Sequence, residues 1–449
     1  MQALLAAAKV LDVEVSLIRQ LTKQAETVGM AKTSILTIGL LGAASATAMA
    51  VPATAQSALS SASVSGYVDL RASVADGETS WLKGGYGKAR YGGDANGDRV
   101  GRFGIAEAGL IWHPRFSQIA GAVIDFEYQA DAERSFDILE AYLTLKTPPG
   151  SWIDLSGRAG VFYPPVSLEH DAFAWTVSHS ITPSAINTWI GEEVKVAGIE
   201  GTLRHPLGPG EVSFTASAFG GDDTAGTLMA FRGWSLHDHE ATVFGEFPIP
   251  SIAPKRQAFF SYQDPYTKSM DEIDNRVGYY GRIGYAGEGY SFSILHYDNA
   301  GNPMALDGMQ WAWATRFTDI GVSLKPTPRA TLLAQYMNGE TKTGWTVPPI
   351  AIDANFSSFY VLGAWDFGPA EVTARYDDFR VDDKTFIALD DENEQGSAVT
   401  LALGRQLSRH LLGRLELMQI NSNRPQRADA GLTPRDIETV VQTSVRYDF

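Results

Sequence analysis

The last residues of the chain alternate between apolar and polar side chains with a period of two. Phe449 and Tyr447 fall on one face, and Arg446 and Ser444 fall on the other. Because successive side chains of a β-strand point to opposite faces of the sheet, this pattern predicts a strand with one apolar and one charged side.

The same period recurs from Ser61 to the carboxyl terminus, and sixteen such segments can be counted. Three segments show the alternation most clearly. In the first, Val68, Leu70, Ala72 and Val74 alternate with Asp69, Arg71 and Ser73. In the second, Ile124, Phe126 and Tyr128 alternate with Asp125, Glu127 and Gln129, and in the third, Leu139, Ala141, Leu143 and Leu145 alternate with Glu140, Tyr142 and Thr144. Tight turns, such as Thr147–Gly150 with its two prolines, alternate with longer polar segments because proline cannot continue a ladder.

An even number of alternating strands, joined by short and long connections in turn, predicts an all-β fold. We expect a closed antiparallel transmembrane β-barrel of about 16 strands, with short periplasmic turns and long outer loops. A hairpin around 227–244, inside a long outer loop at 220–275, would raise the count to 18. Aromatic residues beside the tight turns, such as Trp152 and Trp365, fit an interfacial girdle.

Composition narrows the function classes. The chain of 449 residues has no cysteine, which excludes a disulfide scaffold and a cysteine-ligated metal site. Its formal net charge of −16 argues against nucleic acid as a partner. Beyond the amino terminus no segment reads as an apolar helical span.

Residues 30–55 have the pattern of a secretory signal peptide, with Lys32 before an apolar run and two Ala-x-Ala sites after it. We expect cleavage before Gln56 and a single barrel domain over 56–449; a membrane anchor is the alternative. Residues 1–29 look like an extension that results from a start codon assigned too early.

The segment Gly157–Glu169, with Phe162, Pro165 and Leu168 at its key positions, resembles the segment that follows the fifth strand in the phosphate-selective porin O and P family. The terminal aromatic strand is similarly typical of bacterial outer-membrane barrels. The resemblance implies a sixteen-stranded trimeric channel in the bacterial outer membrane, with loop 162–192 folded into the pore. This sequence has no Lys or Arg between Arg158 and Lys195, so phosphate selectivity is not carried over.

A channel of this kind needs a constriction with fixed charges, because the sign of the lining groups sets selectivity. The expected constriction residues are Glu169, His170, Asp171, Glu192 and Glu193. The expected pore-wall residues are Arg71, Asp125, Glu127, Glu140, Arg158, Arg282, Arg375 and Arg414. Acids facing arginines would create a transverse field with a weak preference for cations. The alternative is that the arginines form cross-strand pairs with Asp69, Asp154, Glu371 and Glu416.

Two other clusters are interpreted as ordinary loops. Leu236–Glu240, with its two histidines, is expected to be a solvated outer loop rather than a metal site. The acidic run Asp390–Glu394 is expected to be a solvated loop tip, with bridging to lipopolysaccharide through divalent ions as the alternative. No cofactor or metal is predicted.

The sequence therefore predicts an outer-membrane porin for passive diffusion of ions and small polar solutes, not an enzyme. Its expected partners are outer-membrane lipid and lipopolysaccharide, two further copies of the chain in a homotrimer, and the barrel assembly machinery through Phe449. The alternatives are an anion- or phosphate-selective porin, a secreted soluble β-sheet protein, and a barrel hydrolase. The hydrolase would show a Ser–His pair within hydrogen-bond reach and a smaller barrel.

Overall fold

A computed structural model describes residues 63–250, 263–345, 350–385 and 391–449. The expected extension at 1–29 and the expected signal peptide at 30–55 lie outside the described residues.

Sixteen antiparallel strands pair in sequence order and close into a barrel, because the first strand pairs with both the second and the last. The strands are β1 (Val64–Ala75), β2 (Val100–Trp112), β3 (Ala120–Gln129), β4 (Phe136–Lys146), β5 (Asp154–Phe162), β6 (Val196–Leu207), β7 (Gly210–Gly220), β8 (Gly278–Gly287), β9 (Tyr290–Asp298), β10 (Ala314–Thr327), β11 (Ala330–Trp345), β12 (Ile350–Asp366), β13 (Glu371–Asp383), β14 (Glu394–Ser408), β15 (Leu411–Asn423) and β16 (Arg435–Asp448). The predicted all-β barrel of sixteen strands is confirmed.

The alternative of eighteen strands is wrong. Where a further hairpin was considered, residues Gly226–Phe231 form a helix, all of whose side chains are buried. Short strands Glu246–Pro248 and Tyr266–Lys268 pair with each other outside the barrel. A second small sheet pairs Leu306–Asp307 with Gln310–Trp311.

The barrel has two unlike edges. One edge, called the turn edge, carries the start of β1, the end of β16 and seven connections of two to seven residues. The other, called the loop edge, carries the remaining connections, most of which are longer. Two of these matter for function: the first insert, residues 163–195 between β5 and β6, and the second insert, residues 221–277 between β7 and β8.

The two faces of the barrel wall follow the alternation in the sequence. Leu70 and Val74 are exposed on the outside, whereas Arg71 between them is 3% exposed and points inward. Leu139, predicted to face outward, is instead fully buried. The pairing of β3 with β4 shifts register beside Asp125, so a bulge at this point breaks the alternation.

The sequence predicts a polar barrel interior, but part of the interior is apolar. The inward faces of β8–β15 carry apolar side chains that pack on both inserts. This cluster includes Trp189, Ile190, Trp234, Leu236, Tyr297, Phe317, Met337 and Phe356. Because the inserts are packed against these strands, the polar space in the barrel lies toward the other wall, β16 and β1–β7.

The helices in the part of the chain that the structure describes are short. They are Trp81–Lys83, Phe173–Trp175, Ala185–Thr188, the π-helical turn Trp189–Glu193, Gly226–Phe231 and Pro425–Ala430. None of the helices in the described ranges is long and apolar enough to cross a bilayer.

Candidate functional site

The first insert crosses the barrel interior and is anchored on the far wall by a buried ion pair. Arg375 on β13 donates to Glu169 over 3.1 Å and to Asp377 over 2.9 Å, and the arginine side chain is fully buried. The other oxygen of Glu169 accepts Asn187 Nδ2 at 2.6 Å. Predicted constriction residue Glu169 and predicted wall residue Arg375 thus meet, but their contacts hold the insert in place.

The second insert is locked to the first by another buried pair. Arg232 donates to both oxygens of Glu193, over 2.6 and 3.0 Å, and His237 Nε2 lies 2.7 Å from the same carboxylate. Burial alone would raise the pKa of Glu193, but the charge of Arg232 and the hydrogen bond from His237 hold it below the ordinary value. Glu193 therefore fixes the two inserts together.

The expectation that Leu236–Glu240 is a solvated outer loop is wrong, since these five residues are 0–7% exposed inside the barrel. His237 offers no free ring nitrogen to a metal, because Nε2 contacts Glu193 and Nδ1 accepts the His239 backbone N–H. Nδ1 of His239 is buried without a hydrogen-bond partner among the described residues. The segment is buried because the interior supplies partners of opposite charge for its side chains.

A narrow charged gap, here called the constriction, remains between the inserts and the opposite wall. Its volume, of about 20 Å³, has room for about one water molecule. The inserts contribute an acid face, defined as Glu192, Asp238 and Glu240, and the wall contributes arginines, defined as the arginine wall: Arg71 on β1, Arg414 on β15 and Arg446 on β16.

Each member of the arginine wall is oriented by the inserts. Arg71 Nη1 donates to Asp238 Oδ2 over 2.5 Å. Arg414 Nη2 donates to the Ser178 carbonyl over 2.7 Å. Arg446 Nη1 donates to Thr176 Oγ1 over 2.6 Å, and its guanidinium lies 3.8 Å from the Tyr67 ring centre.

The members of the acid face differ in charge. Ion pairs with Arg71 and Arg90 outweigh burial and lower the pKa of Asp238, which stays ionised. Burial, then repulsion from Asp238, raises the pKa of Glu192 well above its ordinary value. Burial, then repulsion from Glu192, does the same for the pKa of Glu240. The face thus combines a fixed charge with two carboxyls that ionise only at higher pH.

The predicted wall acids lie behind the constriction rather than in it. Glu127 accepts the Tyr67 hydroxyl at 3.0 Å, and Glu140 accepts the Tyr163 backbone N–H at 2.9 Å. Asp125 is 3% exposed on the inward face of β3. Asp171, predicted at the constriction, is exposed and away from it.

Below the constriction a cavity of about 1110 Å³ lies at the turn edge and is lined by β3–β9 together with Pro165 and Trp175. The predicted wall residues Arg158 and Arg282 line this cavity. Arg158 pairs with Glu200 at 2.9 Å. Arg71 contacts its predicted partner Asp69 at 3.1 Å, but both residues lie on β1, so the contact runs along one strand and not across two. Arg158 forms a cross-strand pair with Glu200 instead of Asp154, and Arg375 and Arg414 make their closest contacts elsewhere.

The sequence reasoning missed Arg446, Glu107, Asp238 and Glu240, all of which line the constriction. The signal for Arg446 was present, because it lies on the polar face of the terminal strand. Asp238 and Glu240 could not be placed because nothing in their local sequence distinguishes a loop that turns inward from one that stays in solvent.

The loop edge is covered by a further group of buried charges. Lys88 forms an ion pair with Glu394, and Arg424 lies 3.6 Å from the same carboxylate. Burial lowers the pKa of Lys88 to about 7. The expectation of a solvated tip at 390–394 is therefore wrong for Glu392 and Glu394, which are 0% and 3% exposed. Asp390 lies outside the described residues.

One acidic cluster has the spacing of a cation site: Asp223, Glu272 and Asp274 each offer an oxygen within 4.8 Å of the others. Asp223 Oδ2 already accepts two backbone N–H groups, and Glu272 Oε2 accepts the Gly221 N–H. These hydrogen bonds explain why the three acids lie together: they stabilise the backbone of the second insert.

Ser167, His170 and Glu192 form a chain of hydrogen bonds. Ser167 Oγ lies 2.7 Å from His170 Nδ1, and His170 Nε2 lies 2.8 Å from Glu192 Oε1. The Ser–His contact predicted for a hydrolase is present, but the predicted smaller barrel is not. Ser167 Oγ also accepts the backbone N–H groups of Glu169 and His170, each at 3.1 Å, as in a local serine turn.

No family model matches the chain, and no curated protein matches it either. Among solved structures, the outer-membrane channel DcaP of Acinetobacter baumannii is similar over 87% of this chain and 99% of its own, with a TM-score of 0.53 and 13% identity. An anion-selective porin from Comamonas acidovorans is similar over 86% of this chain and 98% of its own, with a TM-score of 0.50 and 14% identity. The chain is thus similar to both in fold, a closed barrel of sixteen strands.

Proposed function

We propose that this protein is an outer-membrane channel through which ions and small polar solutes diffuse passively. The observation that carries the proposal is the constriction, where acids on two inserts face three arginines on the barrel wall across a polar gap. A fixed transverse field of this kind orders water and acts on the charge of a passing solute.

The barrel surface supports a membrane location. Outward residues such as Leu401, Leu403 and Leu417 are 43–48% exposed, and a closed barrel leaves no unpaired sheet edge in lipid. We assign the turn edge to the periplasm and the loop edge to the outside, because short turns and both chain ends share one edge. The similar solved structures are described as an outer-membrane channel and an anion-selective porin, which agrees with this proposal.

The narrow gap implies a selective channel. A space of about 20 Å³ admits about one water molecule, so larger solutes pass only when the inserts move away from the arginine wall. The buried pairs Arg232–Glu193 and Arg375–Glu169 oppose such movement. We therefore expect small, discrete conductance steps.

Several finer features belong to the same proposal. Residues 30–55 act as a signal peptide that is removed. The barrel assembly machinery recognises Phe449 in the mature chain. The folded barrels form a homotrimer that contacts lipopolysaccharide at its loop edge. Membership of the phosphate-selective porin O and P family is supported by the resemblance of residues 157–169 and by the terminal aromatic strand.

The hydrolase alternative has one observation in its favour, the Ser167–His170–Glu192 chain. Burial lowers the pKa of His170 to about 4 and raises the pKa of Glu192. Ser167 Oγ accepts two backbone N–H groups in a local turn, and the barrel has sixteen strands rather than the smaller barrel predicted for a hydrolase, so we favour the channel.

Conductance in planar bilayers tests the channel proposal. Purified protein that shifts in gel mobility on heating, as a folded barrel does, is added to a bilayer in KCl solution. We expect stepwise current increases. Folded protein that inserts into the bilayer and passes no ions would contradict the proposal.

A further inference from the structure

The turn-edge cavity contains an arginine that no neighbouring acceptor satisfies. Arg282, on the inward face of β8, has neither a hydrogen bond nor an ion pair with any residue in the described ranges, although its side chain is half-buried. A half-buried guanidinium that faces a cavity without an acceptor from the protein is available to an external anion.

The neighbouring acids are occupied by other groups. Glu200 accepts two hydrogen bonds from Arg158, at 2.9 and 3.1 Å, and one from Tyr280. Asp319 accepts Gln335 Nε2 at 3.2 and 3.3 Å. Neither carboxylate lies within 4.0 Å of Arg282, so the guanidinium remains available to the cavity.

Local backbone geometry directs Arg282 toward the turn edge. A Cβ atom added to Gly284 would lie 3.5 Å from Arg282 Nη1 and 2.6 Å from Ser213 Oγ. The glycine therefore leaves space in which the guanidinium can lie along the wall beside a serine hydroxyl.

A second arginine lines the same cavity. Ser213 on β7 is paired with Gly284 on β8 and with Arg204 on β6. Arg204 donates to Ser156 Oγ over 2.9 Å, its side chain is 37% exposed, and its acidic neighbour Glu211 is 3.9 Å away. The cavity wall thus carries two accessible arginines, with Ser213 on the strand between them.

We propose that the turn-edge cavity holds a binding site for an oxyanion, the carboxylate or phosphate group of a small solute, with Arg282 as its main ligand and Arg204 and Ser213 beside it. The planar fork of a guanidinium matches both groups, because two parallel N–H donors meet two oxygens. The inference rests on the proposed function, since it names a class of solute that the channel holds at its turn edge.

The site can be tested by calorimetric titration. The folded, heat-modifiable protein in detergent is titrated with inorganic phosphate and, in a separate experiment, with acetate. We expect at least one of these anions to bind, and Arg282→Gln to weaken that binding by about tenfold, with a smaller loss for Arg282→Lys. Arg329→Gln, which removes an exposed arginine at the same edge, is the matched control and should bind as the unchanged protein does.

Gly284→Ala supplies a second variant that keeps every charge. Its added methyl group would lie 2.6 Å from Ser213 Oγ and displace that hydroxyl, so we expect weaker binding here too. Equal affinities in the unchanged protein, Arg282→Gln and Gly284→Ala, or no binding of either anion, would overturn the site. The bilayer current distinguishes the two proposals. A current without anion binding would contradict only the proposed binding site, whereas the absence of a current would contradict the proposed channel.

Discussion

His170 Nε2 lies 2.8 Å from Glu192 Oε1, and this contact fixes one oxygen of the carboxyl while the other lines the constriction without a hydrogen-bond partner among the described residues. The His170 ring fits against Gly191, where a Cβ would come within 2.5 Å of it, and stacks on Trp175 with ring centres 5.3 Å apart. The imidazole is thus held on two sides, and it positions Glu192 toward the arginine wall.

This arrangement predicts that ion selectivity depends on pH. The pKa of Glu192 is raised, so the carboxyl is neutral at low pH and becomes negative as the pH passes upward through its raised value. Cation preference should therefore increase with pH. Reversal potentials in a KCl gradient, measured from about pH 5 to about pH 9, report the change.

The variant Glu192→Gln keeps the shape of the side chain but cannot ionise, so its reversal potential should change less over the same range. Glu288→Gln, in an exposed turn between β8 and β9, is the matched control and should respond as the unchanged protein does. An equal pH response in Glu192→Gln would show that this carboxyl does not control selectivity.

The buried pair between the inserts makes a prediction about stability. Both side chains of Arg232 and Glu193 are at most 2% exposed, so Glu193→Gln leaves a buried charge without its partner. We expect a loss of about 3–5 kcal/mol in unfolding free energy. Denaturant titration followed by tryptophan fluorescence measures it, since Trp189 and Trp234 are packed on the same inserts.

The double variant Glu193→Gln with Arg232→Met should recover much of that loss, because the unpaired charge is removed and an apolar side chain replaces it. Arg99→Met is the control, as its arginine pairs with Asp76 at the surface and its own side chain is 76% exposed. If the loss of unfolding free energy in the double variant equals the sum of the losses in Glu193→Gln and Arg232→Met, the two side chains do not act as a pair.

The sequence predicted the wall well and the interior poorly, for a physical reason. Residues such as Leu70 and Arg71 are placed by the period of the strand, which is a local property. The fate of Glu240 or Glu394 depends on which distant residues a loop meets, and that requires the closed barrel. Arg375 shows both cases: its inward direction follows from the strand, whereas its pairing with Glu169, 206 residues away, does not.

The hydrogen-bond chain from Ser167 allows a direct test of the enzyme alternative. If Ser167 is only a turn residue, an active-site serine reagent should not label the folded protein, and mass spectrometry of the peptide containing Ser167 should show no adduct. Ser167→Ala should then change neither ester hydrolysis nor the bilayer current by more than about twofold. Labelling that disappears in Ser167→Ala would restore the hydrolase.

The carboxyl terminus makes the last prediction, which concerns assembly rather than stability. Phe449 exchanges two backbone hydrogen bonds of 2.9 Å with Gly66, and its ring covers Gly66 so closely that an added Cβ would lie 2.6 Å from it. Phe449→Ala keeps both backbone bonds and removes the ring, so the barrel purified and refolded in detergent should still show heat-modifiable mobility. The proposed recognition by the assembly machinery should be lost, which lowers the amount of folded protein in the outer membrane several-fold. Trp365→Ala removes an aromatic ring that is 44% exposed near the same edge and should have little effect. Equal membrane levels of Phe449→Ala and Trp365→Ala would mean that the terminal ring closes the barrel without serving as a signal.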